Sequence, residues 1–426
     1  MRKRRHQYLF LGVAVALITV LMATSSFAQK KGKLVYWTHW EQNPIFNAYY
    51  VEAGKEFAKK NPQCEGVEVV TIPFSGYEAK YLATFMARTG APDIFNGMAH
   101  EWGGVYQFAD KMPSDLAKSI EENIPDVCKP VGKYGGVRYG IPIEGGNFQN
   151  MYINAEMFEE AGLDPNKPPQ TFIELLDCAR KLTKTDATGK ITRSGYGIRY
   201  RGHPIGITDK FLPFLHAWGA VMVDPNFKKA IGFVDSDDAV DALTFYGDLV
   251  NKHKVSSLEV GNPEVAFSQK LAAIIFRESW FVGWLKTNSP DIKYKVYPLP
   301  AMKVAPGAGA LFPWADMVYA NSPNKKLAWE FMKFMWTKEI DLEKNMKQGI
   351  MPVWKANLES PYVKGRADYS AVLEMVKRKP APAYYNPKAN EVATAYGDAI
   401  LDVIYARKNA KGALTEASMR IERMLK

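Results

Sequence analysis

The chain has 426 residues, of which 47% are hydrophobic and 23% charged, the mixture of a folded globular protein rather than a disordered one. A mean hydropathy of −0.24 excludes a polytopic membrane protein, and three Cys exclude a scaffold built on disulfides. The formal charge of +10 does not point to a polyanion: Lys and Arg are scattered, with no basic stripe interleaved with aromatics, so no nucleic-acid partner is expected.

Part of that charge lies at the very start. Arg2, Lys3, Arg4 and Arg5 precede an uncharged, largely apolar run from Tyr8, which ends at the small-x-small site Ser26-Phe27-Ala28. This order predicts a cleavable signal peptide over residues 1–28 and an exported, periplasmic protein. Export implies an oxidising compartment, where Cys64 and Cys128, both in Pro-adjacent segments, are candidates for a disulfide. Cys178 falls inside a predicted helix and reads as a small buried residue.

The mature chain opens on a β-type run, Lys33–Trp37. After Pro44, Phe46, Tyr49, Tyr50, Ala53 and Phe57 recur at helical spacing until Asn61-Pro62 stops them. Val67–Ile72 reads as a strand, Tyr77–Arg88 as a helix and Pro92–Phe95 as a short strand. Strand alternating with helix argues for an α/β fold with parallel sheets flanked by helices. Thr171 and Glu174 form a capping box ahead of an apolar face of Phe172, Leu175, Leu176, Ala179 and Leu182. Val240, Leu243 and Val250 mark a further helix, and Leu271–Phe276 a buried strand. Ser322-Pro323 opens a helix with Leu327, Phe331, Phe334 and Met335 on its inner side, and residues 390–407 read as helix again. The Pro-rich stretches 165–169, 298–306 and 380–387 read as turns or crossovers.

Catalytic signatures are missing. His100-Glu101 begins a zinc-protease motif, but position 104 is Gly, so the second ligand is absent. There is no GxSxG elbow and no phosphate-binding GxxxxGK[ST]. A carboxylate pair for glycoside hydrolysis is drawn from Glu101, Glu144, Glu278 and Asp316, whose meeting is a matter of space rather than of sequence. No cofactor and no metal is expected.

Three stretches together carry a resemblance: Asn150–Leu163 followed by Pro168–Leu175, then Phe267–Trp280, then Asn321–Phe331. They resemble the solute-binding proteins of carbohydrate ABC transporters, the group of the maltose-binding and glycerol-3-phosphate-binding proteins, and the likeness runs from about residue 32 to the end. The resemblance implies a two-lobed periplasmic-binding-protein fold. Each lobe is a sheet flanked by helices, and the lobes are joined by crossover hinge segments. It implies lobes of 29–142 plus 296–350 and 143–295 plus 351–426, with crossings near Pro142–Gly145, Tyr294–Pro298 and Ile350–Trp354. It also implies a monomer that binds a sugar or polyol between the lobes and delivers it to the membrane permease, without catalysis. Glycerol-3-phosphate or another anionic solute is the rival ligand, and a secreted glycoside-processing enzyme the rival class.

Ligands of doubly wound sheets sit beyond the carboxyl ends of strands. Sugars need flat aromatic surfaces for their C–H faces and fixed polar groups for their hydroxyls. The candidates are therefore Thr38, His39, Trp40 and Glu41 after the first strand, Phe74 and Tyr77 after the second, and Asn96, His100, Glu101 and Trp102 after the third. By resemblance, Glu101 takes the place of a carboxylate that binds a sugar hydroxyl. Further candidates are Glu144 and Asn147 at the first crossing, Arg201 on the cleft rim, Arg277, Glu278 and Trp280 at the end of the buried strand, and Trp314 and Asp316. Trp280 matches a stacking position of the family. Tyr152 and Trp218 read as core.

Overall fold

The computed structural model describes residues 32–41, 44–307, 309–378, 380–383 and 388–426. The signal peptide expected over 1–28 lies outside them. In chain order the principal strands are β1 (Gly32–Thr38), β2 (Cys64–Thr71), β3 (Ile94–Met98), β4 (Gly140–Pro142), β5 (Gln149–Asn154), β6 (Ile191–Tyr196), β7 (Ala272–Glu278), β8 (Tyr294–Tyr297) and β9 (Trp314–Val318). The helices that matter here are α1 (Pro44–Lys60), α2 (Tyr77–Ala87), α3 (Phe172–Leu182), α4 (Pro204–Ala217), α5 (Asp237–Asn251), α6 (Lys325–Met335), α7 (Lys338–Gln348), α8 (Ala367–Arg378) and α9 (Ala389–Ile404). Among the described residues no helix is long and apolar enough to cross a membrane.

Local chemistry accounts for many of these boundaries. Pro44 opens α1, where its fixed φ suits the first helical turn, and the apolar stripe Phe46, Tyr49, Tyr50, Ala53 and Phe57 is buried. The helix α2 stops where Arg88 turns left-handed at φ 54°. At α3 the Thr171 hydroxyl accepts from the Glu174 N–H at 3.1 Å. The Glu174 carboxylate reaches back to the N–H of Gln170 rather than Thr171, at 2.7 Å. Trp218 is buried against Phe172, Phe214 and Phe245, and the Tyr152 hydroxyl donates to the Glu278 carbonyl at 3.1 Å.

The strands form two five-stranded sheets. The first runs β2-β1-β3-β9-β4, and the second β8-β5-β7-β6 with the short strand Lys184–Thr185 at its edge. Neither is wholly parallel, which corrects the sequence expectation. In the first, β1 lies parallel to β2 and β3, but β9 is antiparallel to β3 and β4. In the second, β7 is parallel to β6 and antiparallel to β5. The reason is the route of the chain: β9 arrives from the other sheet and slots in without the helical crossover that parallel pairing needs.

Two further expectations are corrected. The chain does not leave the second sheet at Tyr294–Pro298, because β8 pairs with β5 as far as Tyr297 opposite Met151. After Tyr297 it runs on beside that sheet, Leu311 making an isolated bridge to Phe148 just before β5, and it enters the first sheet only at β9. Cys64 and Cys128 are both buried free thiols. Cys64 lies at the start of β2, whereas Cys128 lies under the first crossing, its thiol facing the Gly145 carbonyl at 3.5 Å. Burial pushes the Cys128 thiol up to about 12, so it is unreactive at neutral pH.

Two segments that run between the sheets touch each other. The Gly145 N–H donates to the Met351 carbonyl at 3.0 Å. A Cβ on Gly145 would collide with the Pro352 carbonyl, and one on Gly146 with Val372. These glycines therefore set how closely the segments approach. Gly145→Ala is expected to lower unfolding stability by about 1–3 kcal/mol through overpacking. A lower urea midpoint at unchanged slope would show it, and an unchanged midpoint would contradict this account.

Candidate functional site

Between the two sheets lies a cavity of about 120 Å³. Its first wall is aromatic. His39, Trp40 and Glu41 follow β1, Phe74 follows β2, and Trp314 begins β9. The His39 ring is the centre of this wall, with ring centroids 4.4 Å from Trp40, 4.2 Å from Trp314, 5.3 Å from Phe74 and 5.2 Å from Tyr77. Burial pushes the His39 imidazole down to about 3. It is neutral at physiological pH and behaves as one more flat ring.

The opposite wall is ionic. Arg277 and Glu278 end the fully buried strand β7, and Trp280 follows. Asp209 and Lys210 project from α4, Arg199 follows β6, and Glu264 sits on the short helix Pro263–Ser268. Lys210 Nζ lies 2.5 Å from one Glu278 oxygen and Arg277 3.4 Å from the other. Glu264 stands 4.0 Å from both Arg199 and Arg277. Burial by itself would raise the Glu278 carboxyl; Lys210 and Arg277 outweigh it and hold it at about 2. Burial likewise opposes ionisation of Glu264, and Arg277 with Arg199 brings its carboxyl below the ordinary range. The Arg277 guanidinium lies 4.6 Å from the centre of the Trp280 ring, a cation–π contact that steadies the indole plane. Asn147 and Phe312 close the cavity, Asn147 donating to the Phe312 carbonyl at 3.3 Å and Phe312 N–H to the Asn147 carbonyl at 2.7 Å.

Half of the residues singled out from the sequence meet here: His39, Trp40, Glu41, Phe74, Asn147, Arg277, Glu278, Trp280 and Trp314. Glu101 and Trp102 instead line a second, outer cavity of about 480 Å³. The remaining seven are not brought to the inner cavity. Thr38 is turned to α1, its hydroxyl donating to Asn47 at 2.9 Å. Tyr77 backs the aromatic wall, 5.6 Å behind Phe74. Asp316 lies two residues further into β9 than Trp314, where Tyr36, Tyr50 and Asn96 donate to it at 2.6, 2.5 and 3.0 Å. That buried cluster also removes Asn96 from the cleft. His100 is buried away from both cavities. Arg201 is exposed and lies over the ring of Tyr200. Glu144 is buried at the first crossing, where the Ser279 hydroxyl donates to it at 2.8 Å.

Sequence reasoning missed Arg199, Gly206, Asp209, Lys210, Glu264 and Phe312. A signal existed for three of them: Gly206, Asp209 and Lys210 fall at i, i+3 and i+4 of α4 and so share one face, and the two charges interrupt an apolar run.

Contacts also cross the mouth of the cleft. His203 caps α4, its Nδ1 accepting from the Ile205 N–H at 3.2 Å. That leaves the proton on Nε2, which lies 3.3 Å from Glu78 on α2. The His203 ring is 4.7 Å from Phe74, and Asn390 on α9 donates to Glu101.

Two α/β lobes facing each other across a walled cavity define a two-lobed binding protein. Residues 40–341 match the bacterial extracellular solute-binding protein family, and the chain belongs to it. A binding protein of Brucella abortus (strain 2308) is 23% identical over 423 residues, spanning 97% of this chain and 98% of that one. The arabinooligosaccharide-binding protein of Bacillus subtilis (strain 168) is 24% identical over 344 residues, 76% of this chain and 74% of its own length. An ABC transporter solute-binding protein of Thermotoga lettingae, solved with α-D-tagatose, shares the fold with a TM-score of 0.78 at 23% identity, covering 93% of this chain and 100% of that one.

The Glu144 carboxyl supplies a pH test. Burial pushes it up to about 8, so folding favours its protonated form. Its contribution to stability is complete below the ordinary carboxylate range and is lost as pH rises towards about 8. Glu144→Gln is expected to match the parent melting temperature near pH 5 and to exceed it near pH 9. Parallel melting curves across that range would refute the assignment.

Proposed function

We propose that the protein is the exported, monomeric binding component of an ABC importer. It takes a neutral sugar or polyol in the inner cavity and presents it to the membrane permease. The observation that carries this reading is the pairing of an aromatic wall with a charge-balanced polar wall in one cavity. A sugar ring offers both complements, C–H faces for Trp40, Trp280 and Trp314 and hydroxyls for Asn147, Arg277 and Glu278. The ligands named for its relatives, an arabinooligosaccharide and tagatose, belong to the same chemical class.

An anionic solute such as glycerol-3-phosphate fits less well. Lys210 is engaged by Glu278, and Arg277 and Arg199 face Glu264, so a phosphate would displace an existing carboxylate from each cation. Glycoside hydrolysis needs a protonated carboxylic acid beside the scissile bond, whereas Glu278 and Glu264 are held as anions by their basic neighbours. The ionised state of these two carboxyls supports binding rather than hydrolysis at this wall.

Calorimetry against a panel of neutral sugars, polyols and sugar phosphates tests the proposal. A neutral member is expected to bind, and at 100 times its Kd it should add about 2.7 kcal/mol of stability. Exclusive binding of sugar phosphates would overturn the neutral-ligand reading. Trp280→Ala should weaken that ligand at least tenfold, about 1.4 kcal/mol, while the half-buried indole's loss leaves the melting temperature of the ligand-free protein nearly unchanged. Unchanged affinity would remove Trp280 from the site.

A further inference from the structure

The outer cavity has a different character from the inner one. It lies at the mouth of the cleft, between Ser75, Glu78 and Glu101 of the first lobe and His203, Asn390 and Glu391 of the second. The two cavities adjoin: Phe74 walls the inner and Ser75 the outer, and the Phe74–His203 contact at 4.7 Å stands between them. The inner cavity balances its carboxylates with two Arg and a Lys. Among the described residues, the outer one has three carboxylates on its walls and neither Lys nor Arg.

Its orphan polar atoms are three acceptors and one donor, the indole N–H of Trp102. Glu101 is only 6% exposed. One of its oxygens accepts from Asn390, and the other is buried with no hydrogen-bond partner. The second oxygen of Glu78 and the side-chain oxygen of Asn390 are in the same condition. A buried acceptor without a donor costs about 1–3 kcal/mol, and more when charged, so these three oxygens call for a group rich in donors. His203 is already engaged at both ring nitrogens, Nδ1 with the Ile205 N–H and Nε2 with one Glu78 oxygen, and so leaves the three orphan oxygens unserved. Among the described residues no group of three or more His, Cys, Asp or Glu is arranged to hold a metal ion. A protonated amine offers what remains, up to three donors and one positive charge on one atom.

We propose that the outer cavity is a subsite for an ammonium group, so that the ligand carries its neutral polyhydroxyl part inside and a protonated amine at the mouth, as an amino sugar or amino-substituted glycoside does. This rests on the reading of the inner cavity as a sugar or polyol site. Glu101 is the principal partner, Glu78 and Asn390 supply the neighbouring acceptors, and Glu391 adds negative potential. Burial, then Glu78 and Glu391, pushes the Glu101 carboxyl well above the usual range, and a cation beside it would reverse that trend. Because Glu78 and Glu101 belong to one lobe and Asn390 and Glu391 to the other, the amine would also tie the lobes together.

Matched pairs test the proposal. The full mature protein is titrated at about pH 6 with glucosamine, galactosamine and a β-linked glucosamine disaccharide. Each is compared with its N-acetyl form, which keeps the ring and removes the charge. At least one amine is expected to bind about tenfold or more tightly than its acetylated partner. Glu101→Gln and Glu78→Gln should each abolish most of that preference, so that the amine and its acetylated partner bind with affinities within about twofold of each other. No amine outbinding its partner, or a preference intact in both variants, overturns the ammonium subsite. Neutral polyols binding in the same titrations would leave the inner-cavity reading standing; no binding by any member, neutral or aminated, would remove both.

Discussion

Five charged side chains withdrawn from water at the end of one strand set the terms for the rest of the site. Each ion taken out of water costs several kcal/mol unless its partners are close and well placed. The strand β7 is buried along its whole length, so Arg277 and Glu278 are tolerable only because Lys210, Glu264 and Arg199 come to meet them from α4, the Pro263–Ser268 helix and the turn after β6. The packing of those three elements around the end of β7 is therefore an electrostatic requirement as well as a hydrophobic one. It also limits what can bind, since a ligand that claimed one of these ions for itself would strand its partner.

The two lobes contribute different chemistry. The first presents rings, with His39 kept neutral by its surroundings and counted among them. The second presents an ordered set of donors and acceptors. A ligand that needs both kinds of surface is held fully only when the lobes meet, and only such differential contact shifts a conformational equilibrium. The contacts of His203 with Glu78 and of Asn390 with Glu101 already join the lobes at the cleft mouth. At the opposite side, the glycines at 145 and 146 let the connecting segments pass in close contact.

Buried carboxylates here show how neighbours decide behaviour. Glu278 and Glu101 are almost equally shielded from solvent. Lys210 and Arg277 keep the first an anion, whereas the second has other carboxylates for company and is driven towards its neutral form. The residue type is the same; the charge state is a property of what packs beside it.

The sequence by itself determined the elements and the general place of the site. The stripe of α1, the cap of α3 and the buried run of β7 are local patterns, set by spacing and by side chains a few positions apart. The rule that ligands sit at strand ends led from those patterns to His39, Trp40, Phe74 and Trp280. The tertiary structure decided which side chains share a cavity. Asp316 and Asn96 also stand on strands that border the cleft, yet Tyr36 and Tyr50 draw that pair into the core. Lys210 sits in an apolar helix with nothing nearby in sequence to explain it, because its partner Glu278 lies on a strand 68 residues on. The antiparallel entry of β9 and the late departure of the chain from the second sheet were equally out of reach. Hydrogen-bond partners at a sheet edge and counterions in a buried network are chosen by proximity in space, and only the folded chain brings them together.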